Sequence, residues 1–234
     1  MNRLLAIETS GEACSLALSL DGEILRRHEL APLRHAELLL PSVRALLEEA
    51  GVMLNSLDVI VFGRGPGSFT SLRIGIGAVQ GLAWGADLPV VPISSLAAVA
   101  QQLLMPVREK GVLSAASDTE ILVAVDARMS EVFHCSFRVN SEGKLEATSA
   151  EGVAPPADLS TDNPERTIGA GNGFERYPEL EQLGHTLLAI KPHLHASAAA
   201  LIPLALNWLK SNKPLPAIGA QPEYVRNQVA EKIG

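Results

Sequence analysis

The residues with the clearest capacity for chemistry form a glycine-rich stretch, Gly63-Arg64-Gly65-Pro66-Gly67-Ser68-Phe69-Thr70. It lies between two apolar runs, so we expect a buried strand to enter it and a helix to leave it. Its three glycines permit left-handed backbone and close approach to another surface, and Ser68 or Thr70 can cap the helix. Such a loop can bind a phosphate or pack against a partner. A tight strand-to-helix turn that binds nothing explains the same residues.

The spacing of these glycines differs from two common phosphate-binding patterns. No Gly-Lys-Ser/Thr follows, as a Walker loop requires, and the spacing is not the Gly-x-Gly-x-x-Gly of dinucleotide folds. Elsewhere, Glu8 at the end of a predicted strand could act as a general base, although a structural role is favoured. Ser10, His35 and Asp126 are the types found in a nucleophilic triad, but no Gly-x-Ser-x-Gly elbow accompanies them. Proteolysis is therefore disfavoured.

Composition limits the classes of partner. The chain has 234 residues, a net charge of −7 and only 4% aromatic residues, so unaided binding to nucleic acid is not expected. Cys14 and Cys135 lie in apolar contexts and are predicted to be reduced core thiols, which suits the cytosol. The apolar residues 4–7 are too few for a signal peptide, and Pro203 interrupts the longest later apolar run. We therefore expect a cytoplasmic protein with no membrane segment.

The first part of the chain alternates between strand and helix patterns. Asp21-Gly22 indicates a hairpin turn, and Gly51 marks the end of the first helix. Three antiparallel strands followed by strand–helix units predict a mixed sheet flanked by helices. The predicted strands are 3–8, 14–20, 23–30, 57–62 and 88–93, and the predicted helices are 36–50, 72–84 and 95–105.

The second part echoes the first. A strand at 121–125 ends in Asp126, and a short turn leads to a strand at 131–139, which fits either a duplicated unit or a chance resemblance of two hairpins. A strand at 167–170 and a helix at 196–209 complete this lobe, with irregular chain at 145–163 and an extended tail at 212–228. Residues 106–119 are polar and lack periodicity. We therefore predict lobes at 1–105 and 120–234, joined by a linker at 106–119.

Five motifs in this chain resemble those of the bacterial TsaB proteins, in the same order and from residue 1 to about residue 232. They are Ile7-Glu8-Thr9-Ser10, the glycine-rich stretch 63–70, Arg73-Ile74-Gly75-Ile76-Gly77, Val125-Asp126-Ala127-Arg128-Met129 and Pro222-Glu223-Tyr224-Val225-Arg226-Asn227. The resemblance implies an actin-like α/β fold, duplicated and ribonuclease H-like, with two lobes that each contain a mixed sheet flanked by helices. It also implies an accessory subunit for the synthesis of threonylcarbamoyladenosine in tRNA, working with the catalytic subunit TsaD and the ATPase TsaE.

TsaD shares several of these motifs, and the differences from it argue against catalysis by this chain. TsaD carries a metal-binding His-x-x-x-His pair whose positions correspond to Ser95 and Val99 here, and its carboxylate ligand corresponds to about Ser197. Valine cannot bind a metal, and a hydroxyl replaces an imidazole poorly. Asp126 and Arg128 lie where TsaD has a nucleotide-contacting Gly-Gly turn, so the carboxylate would repel phosphate unless Arg128 compensates. The resemblance therefore implies no catalytic residue, no metal site and no cofactor.

Two predicted helices have features of a partner surface. Gly75, Gly77 and Gly81 together destabilise helix 72–84 by about 3 kcal/mol relative to alanine, which close packing with another helix or with the chain's own sheet would offset. On helix 36–50 a second face with little charge lies off the core face. TsaB proteins use their first-lobe helices to bind TsaD or a second TsaB copy. The predicted partner-binding residues are Leu38, Ser42, Ala45, Gly75, Ala78 and Leu82.

The implied function is to hold TsaD in a competent state while TsaD transfers the threonylcarbamoyl group to the adenosine next to the anticodon. TsaE would join with ATP, tRNA would be contacted only indirectly, and the chain alone would form a homodimer. The alternative is an active ATPase or phosphotransferase of the actin-like fold, with Glu8, Asp126 and residues 65–67 around nucleotide and magnesium. Residues that would lie at the shared interface or keep a vestigial nucleotide contact are Glu8, Thr9, Ser10, Arg64, Gly65, Pro66, Gly67 and Ser68.

Overall fold

The computed structural model describes residues 3–105 and 118–225. These residues divide into two compact units, one with 3–105 and 194–222 and the other with 118–193 and 223–225. The elements before residue 105 are β1 (Arg3–Glu8), β2 (Ala13–Leu20), β3 (Glu23–Leu30), α1 (His35–Ala50), β4 (Val59–Gly65), α2 (Phe69–Ala86), β5 (Val90–Ser94) and α3 (Ser95–Gln101). Those after residue 118 are β6 (Glu120–Arg128), β7 (Glu131–Val139), β8 (Leu145–Ala147), β9 (Gly152–Ala154), β10 (Thr167–Ala170), α4 (Gly173–Arg176), α5 (Pro178–Gly184), β11 (Ala189–Lys191) and α6 (Ala198–Trp208).

The sheet of the first unit has the strand order β3-β2-β1-β4-β5. Strands β1, β2 and β3 are antiparallel, while β4 and β5 run parallel to β1. The β2–β3 turn places Asp21 at φ 51° and Gly22 at φ 99°, the pair of positive values that a two-residue hairpin turn needs. Gly51 adopts φ 65° and ends α1. Both turn predictions are confirmed.

Two predicted boundaries near the glycine-rich stretch are wrong. Strand β4 continues to Gly65 instead of ending at 62, because Gly63 pairs with Ile93 and Gly65 with Ser94 of β5. Arg64 is the extra residue of a bulge in β4. Helix α2 starts at Phe69 and ends at Ala86, and the next residue, Asp87, is left-handed at φ 53°. The stretch between strand and helix is therefore shorter than the sequence indicated.

Both faces of the first sheet are covered by helices. Leu5 and Ile7 of β1 belong to the core on the side of α1 and α2, while Leu4 and Ala6 pack with α6. Four alanines of α6, residues 198, 199, 200 and 205, are fully or almost fully buried, so this helix lies close to the strands. The prediction that this helix belongs to the second lobe is wrong. It packs in the first unit because the face with Leu4 and Ala6 would otherwise expose an apolar surface.

The second unit repeats the topology of the first. Its sheet runs β11-β10-β6-β7-β8, with β9 paired to β7, and again three antiparallel strands are followed by two parallel ones. The two matching strand orders support a duplicated actin-like fold, as the resemblance implied. Helices α4 and α5 and strand β11 are short and were not predicted. The prediction of irregular chain at 145–163 is wrong in part, because β8 and β9 lie within it and both pair with β7. Of the predicted linker 106–119, residues 106–117 lie outside the described residues, as do residues 226–228 of the predicted tail.

Among the helices of the described ranges, none combines the length and the apolar character needed to cross a membrane.

Candidate functional site

The glycine-rich stretch of the first unit wraps around the turn that follows β1. The Ser68 backbone N–H donates a hydrogen bond to the Ser10 carbonyl at 2.7 Å, and the Thr9 hydroxyl donates to the Ser71 carbonyl at 3.0 Å. A Cβ atom on Gly67 would overlap the Ser10 carbonyl, and one on Gly75 would overlap the Thr9 side chain. The glycines at 67 and 75 are therefore required by close contact with residues 9–10 of the same chain.

Glu8 is the ionisable group at the centre of this arrangement. It is 1% exposed, and its carboxylate accepts the Ser10 N–H at 2.5 Å and the Ser95 hydroxyl at 2.8 Å. A Cβ atom on Gly63 would overlap this carboxylate. Burial raises the pKa of Glu8 above its usual value, although hydrogen bonds from Ser10 and Ser95 oppose the shift. No arginine, lysine or histidine pairs with Glu8 among the described residues.

The structure brings the eight predicted loop residues together but leaves few of them accessible. Glu8, Thr9, Ser10, Gly65 and Pro66 are buried, Arg64 and Gly67 are half-buried, and Ser68 is exposed. Of the glycines that suggested a phosphate site, Gly63 and Gly67 pack closely against residues of the same chain, and Gly65 has a positive φ of 102°. A nucleotide contact at this loop stays a prediction.

Two of the positions that correspond to metal ligands in TsaD have other structural roles here. Ser95 donates to Glu8, and Val99 is 1% exposed within the protein core. Ser197 directly precedes α6. Within residues 3–105 and 118–225, no group of three or more His, Cys, Asp and Glu side chains is arranged to hold a metal ion.

His35, the second member of the triad that was weighed, is also buried. Its Nε2 lies 3.2 Å from the Ala13 carbonyl oxygen. This contact fixes the imidazole against the first residue of β2.

The second unit has its own buried carboxylate at the corresponding place. Asp126 accepts hydrogen bonds from the Tyr177 hydroxyl at 2.6 Å and from the Arg128 N–H at 3.0 Å, and its side chain is 4% exposed. It also pairs with the Arg176 guanidinium, and the Arg128 guanidinium lies 3.3 Å away. Burial alone would raise the pKa of Asp126, but these hydrogen bonds and Arg176 lower it below its usual value. Burial and the bond to Asp126 raise the pKa of Tyr177 to about 12.

Arg128 pairs with Asp126, a compensation that the sequence left open, but two further partners of Asp126 were missed. Arg176 and Tyr177 lie about fifty residues later, on α4 and directly after it, and no short-range pattern links them to Asp126. The signal that could have found them is chemical. A carboxylate at the end of a buried strand needs donors, and Arg176-Tyr177 offers two adjacent ones.

The predicted partner surface is only partly exposed. Leu38, Ser42, Ala45, Ala78 and Leu82 are half-buried, and Leu38, Ala78 and Leu82 pack against the core of the first unit. Gly75 is buried against Thr9, so its assignment to a partner surface is wrong. The outer face of α2 instead presents three glycines and an aromatic residue that the prediction omitted. These are Gly77, Gly81 and Gly85, which have open space around the Cβ position, and Trp84, which is 80% exposed.

A groove of about 350 Å³ lies beside α1, between this helix and the outer strands of the first sheet. Leu38 and Ser42 form part of its wall. Its remaining lining residues are Cys14, Leu16, Arg27, His28 and Glu29.

Comparison with known proteins identifies the family. A profile described as "TsaD: tRNA N6-adenosine threonylcarbamoyltransferase" matches residues 28–186. A protein of Escherichia coli named "tRNA threonylcarbamoyladenosine biosynthesis protein TsaB" is 35% identical over 98% of this chain and 97% of its own length. The chain belongs to the TsaB family. A TsaB protein of Haemophilus influenzae is also 35% identical, over 98% of this chain and 95% of its own length.

A solved structure agrees with this TsaB assignment. The chain described as "YeaZ from Pseudomonas aeruginosa" superposes with a TM-score of 0.83 and 38% sequence identity, covering 96% of this chain and all of that one. The likeness extends over both units, so the family assignment covers the whole fold.

Proposed function

We propose that this chain is the non-catalytic accessory subunit for threonylcarbamoyl transfer to the adenosine next to the anticodon of tRNA. In this proposal it binds the catalytic subunit TsaD in the cytoplasm, and the ATPase TsaE joins the complex with ATP. The names of its relatives in Escherichia coli and Haemophilus influenzae, both described as TsaB biosynthesis proteins for this nucleoside, support the pathway.

The observation that carries the non-catalytic role is the packing around Glu8. In an ATPase of this fold, the glycine-rich loop and the turn after β1 would have to leave space for phosphate. Here Ser10, Thr9 and the Glu8 carboxylate lie within contact distance of Gly67, Gly75 and Gly63, respectively. The second carboxylate, Asp126, is held by Tyr177, Arg128 and Arg176. Both groups that the alternative enzyme would use therefore have structural partners within the chain.

The outer face of α1 and α2 is the proposed docking surface for TsaD. It includes Leu38, Ser42 and Ala45 on α1 with Ala78 and Leu82 on α2, extended by Gly77, Gly81 and Trp84. Exposed glycines allow a partner helix to approach the backbone closely, and an exposed tryptophan is a typical anchor in interfaces. The net charge of −7 supports only indirect contact with tRNA, with TsaD supplying the basic surface.

Mixing the purified chain with TsaD and measuring the size of the complex by light scattering tests this proposal. We expect a one-to-one complex with the wild type and at least a tenfold weaker one with Gly81→Arg, because the new side chain would occupy the space a partner helix needs. Asn207→Arg on α6, exposed and on the opposite face of the first sheet, is the matched control and should bind normally. Circular dichroism checks that both variants fold.

A wild-type chain that does not bind TsaD would overturn the accessory role. Magnesium-dependent ATP hydrolysis by the chain alone, lost in Glu8→Gln, would then establish the alternative of an active ATPase. Equal binding by wild type and Gly81→Arg would retain the role but exclude the α2 surface.

A further inference from the structure

The groove beside α1 has one charged side chain of each sign on its strand side. Arg27 and Glu29 line it from β3, and because they are two residues apart in one strand, both lie on the face of the sheet that carries α1. Their partners on β2 are Leu16 and Cys14, which belong to the apolar core on that face. The groove therefore presents a cation and an anion side by side next to an apolar floor.

Much of the hydrogen-bonding capacity in the groove is not used within the described part of the chain. Arg27 donates one hydrogen bond, of 2.6 Å, to Glu49, which leaves its other N–H donors available. Glu29 lies 3.7 Å from Arg34, too far for a hydrogen bond, and no described residue donates to its carboxylate. The hydroxyl of Ser42, on the α1 wall, makes no hydrogen bond to a described residue. Donors, a carboxylate and a hydroxyl are thus open to a ligand.

The floor between these polar groups is apolar. Cys14 is 5% exposed, and burial and the charge of Glu29 both raise the pKa of its thiol. The thiol is therefore protonated at neutral pH and acts as a small apolar group. Leu16 lies two residues further along β2, and Leu38 adds an apolar side chain from α1. An apolar portion of a ligand can be buried there.

We propose that this groove binds a free α-amino acid with an apolar side chain. Its carboxylate pairs with Arg27 and its ammonium group pairs with Glu29, while its side chain lies on the apolar floor. Residues two apart on a strand are separated by about 7 Å. The two charged groups on one α-carbon span this interval when each adds a hydrogen bond of about 2.8 Å. The groove volume of about 350 Å³ is within the range of small-molecule sites.

Ligands that carry charge of one sign fit this groove less well. A phosphate-rich ligand attracted by Arg27 would be repelled by Glu29 and by Glu49. A diamine attracted by Glu29 would be repelled by Arg27 and by Arg34. A ligand with one group of each sign is attracted at both positions, which is why the geometry favours an amino acid.

This inference does not rest on the proposed function. Leu38 and Ser42 also belong to the docking surface proposed for TsaD, so the variants that test the groove are placed on β3. Binding of the amino acid is measured with the chain alone. Loss of the amino-acid site and loss of the TsaD complex are therefore separate outcomes.

An NMR titration of the isotope-labelled chain with L-leucine tests the site. We expect saturable shifts of the backbone signals of the groove residues on β2, β3 and α1, with a dissociation constant of about 1 mM or lower. Isocaproate is leucine without its ammonium group, and isoamylamine is leucine without its carboxylate. Each keeps the apolar part and one charge, so each should bind at least about tenfold more weakly than L-leucine.

Two substitutions on β3 assign the charges. Arg27→Gln and Glu29→Gln should each weaken L-leucine binding at least about tenfold. Arg27→Gln should also remove the advantage of L-leucine over isoamylamine, and Glu29→Gln its advantage over isocaproate, because the lost side chain no longer reads the group that the analogue lacks. Arg26→Gln is the matched control, since Arg26 pairs with Ala17 and lies on the opposite face of β3. It should bind L-leucine as the wild type does.

The same spectra show whether each variant is folded, and the comparison of the three ligands on the wild type needs no variant. The absence of saturable shifts with L-leucine up to about 10 mM would overturn the proposal. So would shifts centred outside the groove, equal binding of L-leucine and both analogues, or an equal loss of binding with Arg26→Gln and Arg27→Gln.

Discussion

The two units place a carboxylate at the same point of the same topology, and they treat it in opposite ways. Glu8 ends β1, and Asp126 lies near the end of β6, the equivalent strand of the second sheet. Within the part of the chain that the structure describes, Glu8 has hydroxyl and backbone donors but no cationic partner, and burial raises its pKa. Asp126 has two guanidinium groups and a tyrosine hydroxyl, and its pKa is lowered. The fold fixes where the carboxylate lies, while its neighbours decide whether its pKa is raised or lowered.

The contrast extends to the backbone. In the first unit, the turn after β1 is enclosed by glycine contacts at 63, 67 and 75. In the second unit, the strand continues into a hairpin in which Arg128, Met129 and Ser130 all have positive φ values, of 61°, 54° and 56°. Asp126 stabilises this conformation by accepting the Arg128 N–H. One unit uses close packing to position its carboxylate, and the other uses charge.

The largest effect expected from this comparison is a packing effect in the first unit. Gly67→Ala would place a Cβ against the Ser10 carbonyl, a backbone group that cannot move aside alone. We expect the free energy of unfolding to fall by about 2 to 3 kcal/mol, measured by urea denaturation. Gly77→Ala is the control, since its Cβ meets open space and it should gain up to about 1 kcal/mol in helix propensity. Equal effects of the two substitutions would contradict the close packing.

The next effect separates the two carboxylates by their charge. Asp126→Asn removes an ionised acceptor from Tyr177 and Arg176 and should lower the free energy of unfolding at pH 7 by about 2 kcal/mol. Glu8→Gln replaces a group whose folded environment favours the neutral form, and the change at pH 7 should be below about 1 kcal/mol. Urea denaturation from about pH 3 to about pH 8, a range that spans carboxyl titration, measures the free energy of unfolding of both variants.

The pH dependence of the two substitutions should have opposite signs. Because the folded pKa of Asp126 is lowered, its stabilisation is present above the unfolded value of 3.8 and is lost at lower pH. The free energies of unfolding of Asp126→Asn and wild type therefore converge at low pH. Because the folded pKa of Glu8 is raised, wild type loses stability as the pH rises above the unfolded value of 4.5. The free energy of unfolding of Glu8→Gln therefore increases relative to that of wild type as the pH rises. Parallel curves for the two variants would show that the carboxylates are equivalent.

Sequence patterns predicted the elements whose signals are local. The spans of β1 and β3, the Asp21-Gly22 turn and the end of α1 at Gly51 depend on periodicity and turn chemistry within a few residues. The resemblance to the TsaB proteins implied the duplicated fold. The predictions that failed depend on distant residues. Helix α6 packs in the first unit because of a sheet face formed by residues about 100 to 200 positions earlier in the chain.

The candidate site shows the same division. The sequence identified Glu8, the glycines and Asp126, but the spacing of the glycines could not reveal that Ser10 and Thr9 fill the space beside them. Gly75 was assigned to a partner surface because a glycine permits close packing within a chain and close packing between two chains equally well. Arg176 was missed because its contact with Asp126 is made by tertiary structure alone.

The smallest expected effects come from single donors, and they sharpen the same contrast. Tyr177→Phe removes the 2.6 Å hydrogen bond to Asp126, and Ser95→Ala removes the 2.8 Å bond to Glu8. A hydrogen bond is worth more to an acceptor whose charged form its surroundings favour than to one whose charged form burial disfavours, so at pH 7 we expect losses of about 1.5 kcal/mol for Tyr177→Phe and about 0.5 kcal/mol for Ser95→Ala. The Tyr177→Phe loss should shrink in the Asp126→Asn background, because the two groups share one interaction. Equal losses from Tyr177→Phe and Ser95→Ala would mean that the surroundings of Glu8 and Asp126 do not distinguish the two carboxylates.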